Sequence, residues 1–182
     1  MKKKPPYNQN SVIRGALRRA FARSPLVVEK MQESRREVPR YNKDGTRAKK
    51  NWVQRQCEVC HTWVGSTKIS IDHIDPVISV DDGFQDWNEF VDRLWCNKLG
   101  KANLQRICDD CHDKKTAKER YERMYHQELA DLNDVTSGTG RPKETVKKFV
   151  KKFNKKRLDK FPYPQEFKDR IINLRRLVGL KV

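Results

Sequence analysis

Four of the five cysteines stand in two pairs, Cys57-Glu58-Val59-Cys60 and Cys108-Asp109-Asp110-Cys111. Two residues between cysteines let one tight turn aim both sulfurs at a single ion, and two such knuckles complete the tetrahedron zinc prefers. The 47 residues between the knuckles mean that such an ion pins together segments distant in sequence. A reducing, intracellular setting is expected, and there paired cysteines bind metal more readily than they form disulfides; two disulfides or a redox pair are the competing readings. Cys96 reads as a small buried hydrophobe. His61, directly after Cys60, is a weaker competitor for the ion, and His126 reads as a surface residue.

Between and beside the knuckles lies a second set: Asp72-His73 in Ile71-Asp72-His73-Ile74-Asp75-Pro76, Asn103 in Asn103-Leu104-Gln105, and His112 directly after Cys111. A carboxylate and an imidazole can hold a hard divalent cation against a phosphate oxygen. A histidine that titrates near neutrality can take a proton from water. Successive helical residues lie about 100° apart, so His112 faces away from the sulfurs and toward a separate site. Each residue also has a structural reading. His73 serves as a buried histidine, Asp72 as a turn cap, His112 as filler of a first helical turn, Asn103 as an N-cap or turn residue.

These residues need elements to position them. Ile69, Ile71 and Ile74 mark a strand over 68–74. Neighbouring strand residues point to opposite faces, so joint use of Asp72 and His73 calls for a bend, with Asp75 and Pro76 as its agents. Trp87, Phe90, Val91, Leu94 and Trp95 follow helical spacing. From Asp109 to about Ala130 nothing breaks a long helix that carries Cys111 and His112 in its first turn. Upstream, Val12, Ile13, Ala16, Leu17, Ala20 and Phe21 mark an amphipathic helix capped by Asn10 or Ser11. Ser24-Pro25 opens another, and Glu29–Arg36 dissolves into charge. Asp44-Gly45 signals a turn or short hairpin within an exposed 43–50. Downstream, Val135–Gly140 reads as a linker. Arg141-Pro142 opens a basic helix with Val146, Phe149, Val150 and Phe153 on one side, and a last helix carries Phe167, Ile171, Leu174 and Val178.

Charge divides the chain the same way. Residues 1–50 hold 15 Lys/Arg against 4 Asp/Glu, residues 51–140 hold 11 against 16, and residues 141–182 hold 15 against 4. The total is +17, a mildly acidic centre between two flanks of +11, more than solubility asks of so few residues. Such flanks draw in a polyanion. Arg14, Arg18, Arg19, Lys147, Lys148, Lys151, Lys152 and Lys155 are the candidate phosphate contacts. No apolar run reaches the length of a membrane span, and no apolar segment follows the basic Met1–Lys4 to make a secretory signal, so a cytoplasmic location is expected. The organisation reads as a basic helical arm (1–50), a central domain (51–134), a linker (135–140) and a basic helical extension (141–182).

The two cysteine pairs, the Asp-His-Ile-x-Pro segment, Asn-Leu-Gln and the closing Cys-His-x-x-Lys-Thr occur in an order and spacing that resembles the HNH endonuclease family. Its zinc-stapled four-cysteine branch, often found in bacteriophages, is the nearest likeness. It covers about 60 of the 182 residues. The resemblance implies an α+β, mainly helical fold around a ββα-metal (HNH or His-Me finger) core with a structural zinc site, flanked by basic helical extensions. It implies that Asp72 and His112 hold one Mg²⁺ or Mn²⁺, that His73 is the general base and that Asn103 orients the loop or the His73 backbone or, as in some members, binds the metal. It also implies a metal-dependent DNA endonuclease of the homing or packaging-associated kind. A homodimer or phage packaging proteins are the further partners it suggests. The alternative is a zinc-containing DNA-binding module, or a phage assembly accessory, without cleavage of its own.

Overall fold

The computed structural model describes residues 7–137 and 143–181. The architecture is α+β, 54% helical with small sheets, and it divides into two compact units, Met1–Glu119 and Arg120–Val182. Among the described residues no helix is long and apolar enough to cross a membrane.

The first unit opens with helix α1 (Gln9–Phe21) and helix α2 (Pro25–Gln32). Asn8 caps α1, its side-chain oxygen accepting from Ser11 N at 3.0 Å, so the helix starts earlier than an Asn10 or Ser11 cap would place it. Ser24 caps α2, with Pro25 at the first helical position where its missing N–H costs nothing. Strand β1 (Arg35–Val38) and strand β2 (Trp52–Gln56) then pair antiparallel, and strand β3 (Trp63–Gly65) joins β2 on its other side. Arg35 and Arg36, expected to dissolve into charge, thus belong to a strand. Its own side chains are mostly exposed and show no alternation, so only the pairing with β2 makes it one. The Asp44-Gly45 signal resolves as a hairpin: Gly45 takes φ 81°, a backbone that a side chain would strain.

Strand β4 (Ile69–His73) and strand β5 (Leu104–Cys108) form a second antiparallel pair, in register from Ile69↔Cys108 to His73↔Leu104. The connection between them carries helix α3 (Trp87–Leu94), capped by Asp86. β5 runs without a break into helix α4 (Asp109–Ser137). Phe21, Val77, Phe90, Leu94, Cys96 and Leu104 make the core beneath this pair, with Trp87 and Trp95 packed against it. Cys96 is indeed a buried, uncharged filler there.

The second unit contains the C-terminal part of α4 with helices α5 (Lys143–Lys151), α6 (Lys155–Lys160) and α7 (Gln165–Leu177). Val135–Ser137, read from sequence as the start of a linker, are instead the last turn of α4. The Thr136 hydroxyl donates back to Leu132 O at 2.9 Å, and no glycine intervenes before residue 138. The rest of that linker, with Arg141-Pro142, lies outside the described residues. Leu132, Val150, Phe153, Tyr163, Phe167 and Ile171 are buried together. Tyr163 stacks on Phe167 at 5.0 Å, and Phe153 meets Phe167 edge-on at 5.5 Å. Glu128, buried in this unit, accepts from the Tyr163 hydroxyl at 2.7 Å and from Arg157 at 2.6 Å.

Candidate metal centre and its neighbours

The turn after β2 and the junction of β5 with α4 bring four sulfurs together. Those of Cys57, Cys60, Cys108 and Cys111 all lie within 4.8 Å of one another. All five cysteines of the chain are free thiols. Cys60 Sγ and Cys108 Sγ stand 3.8 Å apart, far beyond a disulfide bond of ~2.05 Å. A Zn–S bond of ~2.3 Å gives a tetrahedral sulfur–sulfur edge of roughly 3.8 Å. The four cysteines therefore form a cluster that can hold a metal such as zinc. His61 follows the knuckle at φ 59°, exposed, and the cluster needs no ligand from it.

Local bonding builds each knuckle. Cys57 N donates to Thr62 O at 3.0 Å and His61 N to Cys57 O at 2.9 Å, closing the first turn. Cys108 N donates to Cys57 Sγ at 3.4 Å, joining the second knuckle to the first. Hydrogen bonds from Thr62 hold the Cys60 thiol down to about 6. The hydrogen bond with Cys108, with burial, pushes Cys111 up to about 12, and burial raises Cys108. Four converging sulfurs resist carrying four negative charges, and a cation among them removes that resistance.

A residue with no motif signal clamps the knuckles. Arg106, buried on β5, donates to Glu58 Oε1 at 2.8 Å, Glu33 Oε2 at 3.0 Å and Lys30 O at 2.8 Å, while its own N–H meets Glu58 Oε2 at 2.7 Å. Glu58 sits between Cys57 and Cys60, so the clamp ties the first knuckle to β5 and to α2. Burial works against the charge on Glu33, but hydrogen bonds from Arg106 and Lys30 prevail and hold its carboxyl below the ordinary value. An arginine beside a CxxC is legible only as one cation among 41 until its partners are placed.

Asp72 and His73 close β4. The strand stays regular through His73, so their side chains leave on opposite faces, and the bend falls after them rather than between them. Asp72 Oδ2 faces α4, 2.8 Å from Lys115 Nζ and 3.4 Å from Gln105 Nε2. Lys115 Nζ also reaches His73 O at 2.7 Å and Glu119 Oε1 at 2.7 Å, so three oxygens converge on one cationic group. His112 stands one helical turn before Lys115 and shares its face of α4. Lys115 was read only as part of a motif, and its contact with Asp72 is what joins the strand end to that face.

His73 points the other way, into the core. Its ring lies 5.1 Å from that of Phe21, and Nε2 is 2.9 Å from Leu94 O. A carbonyl oxygen only accepts, so Nε2 carries the hydrogen and Nδ1 keeps the lone pair. Burial lowers the His73 pKa, against the carbonyl bond and Asp72, which raise it. The imidazole is therefore neutral at neutral pH. Asn103, itself buried, grips the loop that follows: Asp75 N donates to its Oδ1 at 2.8 Å and its Nδ2 donates to Asp75 O at 3.3 Å. Ile74 N donates to Asn103 O at 2.7 Å. The cleft beside Asn103, about 450 Å³, is lined by the acids Asp75, Asp86, Glu89 and Asp92 and by the cations Arg93 and Lys98.

The basic candidates are dispersed. Arg14 lies over Phe84 at 5.2 Å and Arg18 over Phe90 at 5.8 Å, while Arg19 is exposed. In the second unit Lys148, Lys151, Lys152 and Lys155 are exposed and Lys147 is half-buried. Lys152 is shared between Asp131 at 3.4 Å and the Phe149 ring at 4.5 Å. Comparison with protein-family models, with characterised proteins and with solved structures finds no match for this chain.

Proposed function

We propose that the chain is a zinc-stapled, metal-dependent endonuclease of the HNH kind that hydrolyses phosphodiester bonds in DNA. One observation carries the reading: Asp72, at the end of an antiparallel strand pair, is drawn onto the face of α4 that bears His112, by a lysine ammonium around which three oxygens gather. A place that collects oxygens around one cation suits a hard divalent ion. In this reading Asp72 and His112 hold Mg²⁺ or Mn²⁺, which neutralises charge developing on the phosphate. His73 takes the proton from the attacking water, a role that requires the end of β4 to turn when DNA binds, since His73 leaves the strand on the face opposite Asp72. Asn103 shapes the loop that follows the Asp-His pair, a positioning role rather than ligation. The four cysteines hold zinc and brace the strand pair against the start of α4, while the net charge of +17 draws in the polyanion.

A plasmid-nicking assay tests this. The wild type should relax supercoiled DNA with Mg²⁺ or Mn²⁺ and fail with EDTA. His73→Ala should lose about 10²–10⁴-fold in rate with zinc content unchanged. Full cleavage by that variant would sink the mechanism. A second reading, a zinc-containing DNA-binding module without cleavage, is favoured by the packing of His73 on Phe21 and its bond to Leu94, which a purely structural histidine also makes. Binding of DNA with no divalent-dependent nicking under any tested ion would select it.

A further inference from the structure

The hairpin between β1 and β2 reaches past the sheet it belongs to. β3 pairs only with Gln54, Arg55 and Gln56, so residues 39–51 extend beyond it as a hairpin loop closed by the single bridge Tyr41↔Arg47. That loop is hydrogen-bonded to its tip. Ala48 N donates to Arg40 O at 2.8 Å, Asn42 N to Thr46 O at 2.8 Å and Gly45 N to Asn42 O at 3.0 Å. Asp44 accepts from Thr46 N at 2.9 Å, so the one acid of the segment is spent on the turn.

The segment carries five cations against the single carboxylate Asp44, which is engaged by Thr46 at the turn. Arg40, Lys43, Arg47, Lys49 and Lys50 are all exposed, and among the described residues none of them pairs with a carboxylate. Several cations elsewhere in the same unit are paired with carboxylates: Lys30 and Arg106 with Glu33 and Glu58, Lys101 with Glu29, Lys115 with Asp72. Two aromatic rings stand among the free cations, Tyr41 at 64% and Trp52 at 49% exposure. Trp52 is seated rather than loose. Its indole edge rests on Gly65, where a Cβ would come within 2.9 Å of Nε1.

We infer that this hairpin arm is a duplex-DNA-binding element that lies in the major groove. A two-stranded ribbon fits the ~12 Å major groove of B-form DNA, whereas the deep, narrow major groove of A-form RNA excludes it. A membrane surface calls for apolar side chains beside the cations. The tip offers Asn42, Lys43, Asp44, Gly45 and Thr46 instead. Five free cations engage phosphates, and Tyr41 and Trp52 reach the sugar and base edges. The inference takes nucleic acid as the partner from the proposed function but does not depend on cleavage.

The test uses the full chain, zinc-loaded and carrying His73→Ala, with no divalent ion, and reads fluorescence anisotropy of a short labelled duplex across a salt series. Replacing Arg40, Lys43, Arg47, Lys49 and Lys50 together by Gln should weaken binding at least tenfold and flatten the salt slope by about 4.5, at ~0.9 per phosphate contact. Zinc content and circular dichroism confirm the fold, and Lys43→Glu in the turn alone gives a smaller loss in the same direction. An unchanged affinity and slope overturns the inference. So does an equal preference for duplex RNA, or a loss confined to anionic vesicles. Loss of DNA binding without any wild-type nicking would strike the nuclease reading and leave the hairpin standing, while wild-type nicking with an unaffected hairpin variant does the reverse.

Discussion

The cysteine region of the first unit and the core of the second are held by opposite means. Around Cys57, Ile107 and Cys108 the apolar cluster is small, and an arginine, a lysine and two glutamates work beside four converging sulfurs. The second unit, by contrast, buries Phe153, Tyr163, Phe167 and Ile171 against one another, with the Glu128–Arg157–Tyr163 group and the buried Arg175 among them. A small apolar cluster needs an ion to hold it, whereas a continuous aromatic core does not. The difference also separates tasks. The residues with chemistry to offer lie where side-chain bonding is dense, and the second unit presents lysines over a core that resembles ordinary helix packing.

The sharpest way to break this contrast is to remove one sulfur. Cys57→Ser should abolish stoichiometric zinc binding and, with it, on the order of 10 kcal/mol of stabilisation. The strands should melt first, while helical circular dichroism from the second unit persists. A metal analysis that still finds one zinc per chain, or a single loss of all structure, would erase the distinction. Phe167→Ala probes the other side. Emptying that site should cost about 3–5 kcal/mol in denaturant unfolding of the second unit, with zinc content unchanged; a loss of zinc would show that the two supports are not separate. The smallest effect belongs to Tyr163→Phe, which removes the donor to Glu128 and costs ~1 kcal/mol. It also carries a pH signature. Burial and the Glu128 carboxylate raise Tyr163 to about 12, above the ordinary value near 10. The unfolded chain thus releases that proton first, and the stabilisation, whole below pH ~10, is lost as pH rises toward 12. Ultraviolet titration of the wild type should show a late-ionising tyrosine that the variant lacks.

Much of the candidate site was legible because it depends on spacing. Cys57-x-x-Cys60 and Cys108-x-x-Cys111 can only point at one ion if each pair turns tightly, and they do. The start of α4 at Asp109 followed from a run with no breaker, and the aromatic stripe of α3 from its period. The reach of α4 to Ser137 was missed because Val-Thr-Ser resembles a linker by composition, whereas the Thr136 hydroxyl has a backbone carbonyl to bond one turn back. β1 was missed because an exposed strand has no alternation to display.

What sequence alone determined is therefore the inventory and its local geometry: two knuckles, an Asp-His pair at a strand end, a long helix with Cys111 and His112 in its first turn, and charge segregated to the flanks. Local rules suffice there, since turns, periods and charge counts involve neighbours in the chain. Only the tertiary structure decided that Lys115 draws Asp72 to α4 while His73 turns inward to Leu94 O, that Arg106 clamps Glu58, and that the cations of 40–50 stand free on an arm. Those outcomes depend on pairing across dozens of residues, and a cation's partner is set by which strand or helix arrives beside it, a fact no local pattern carries.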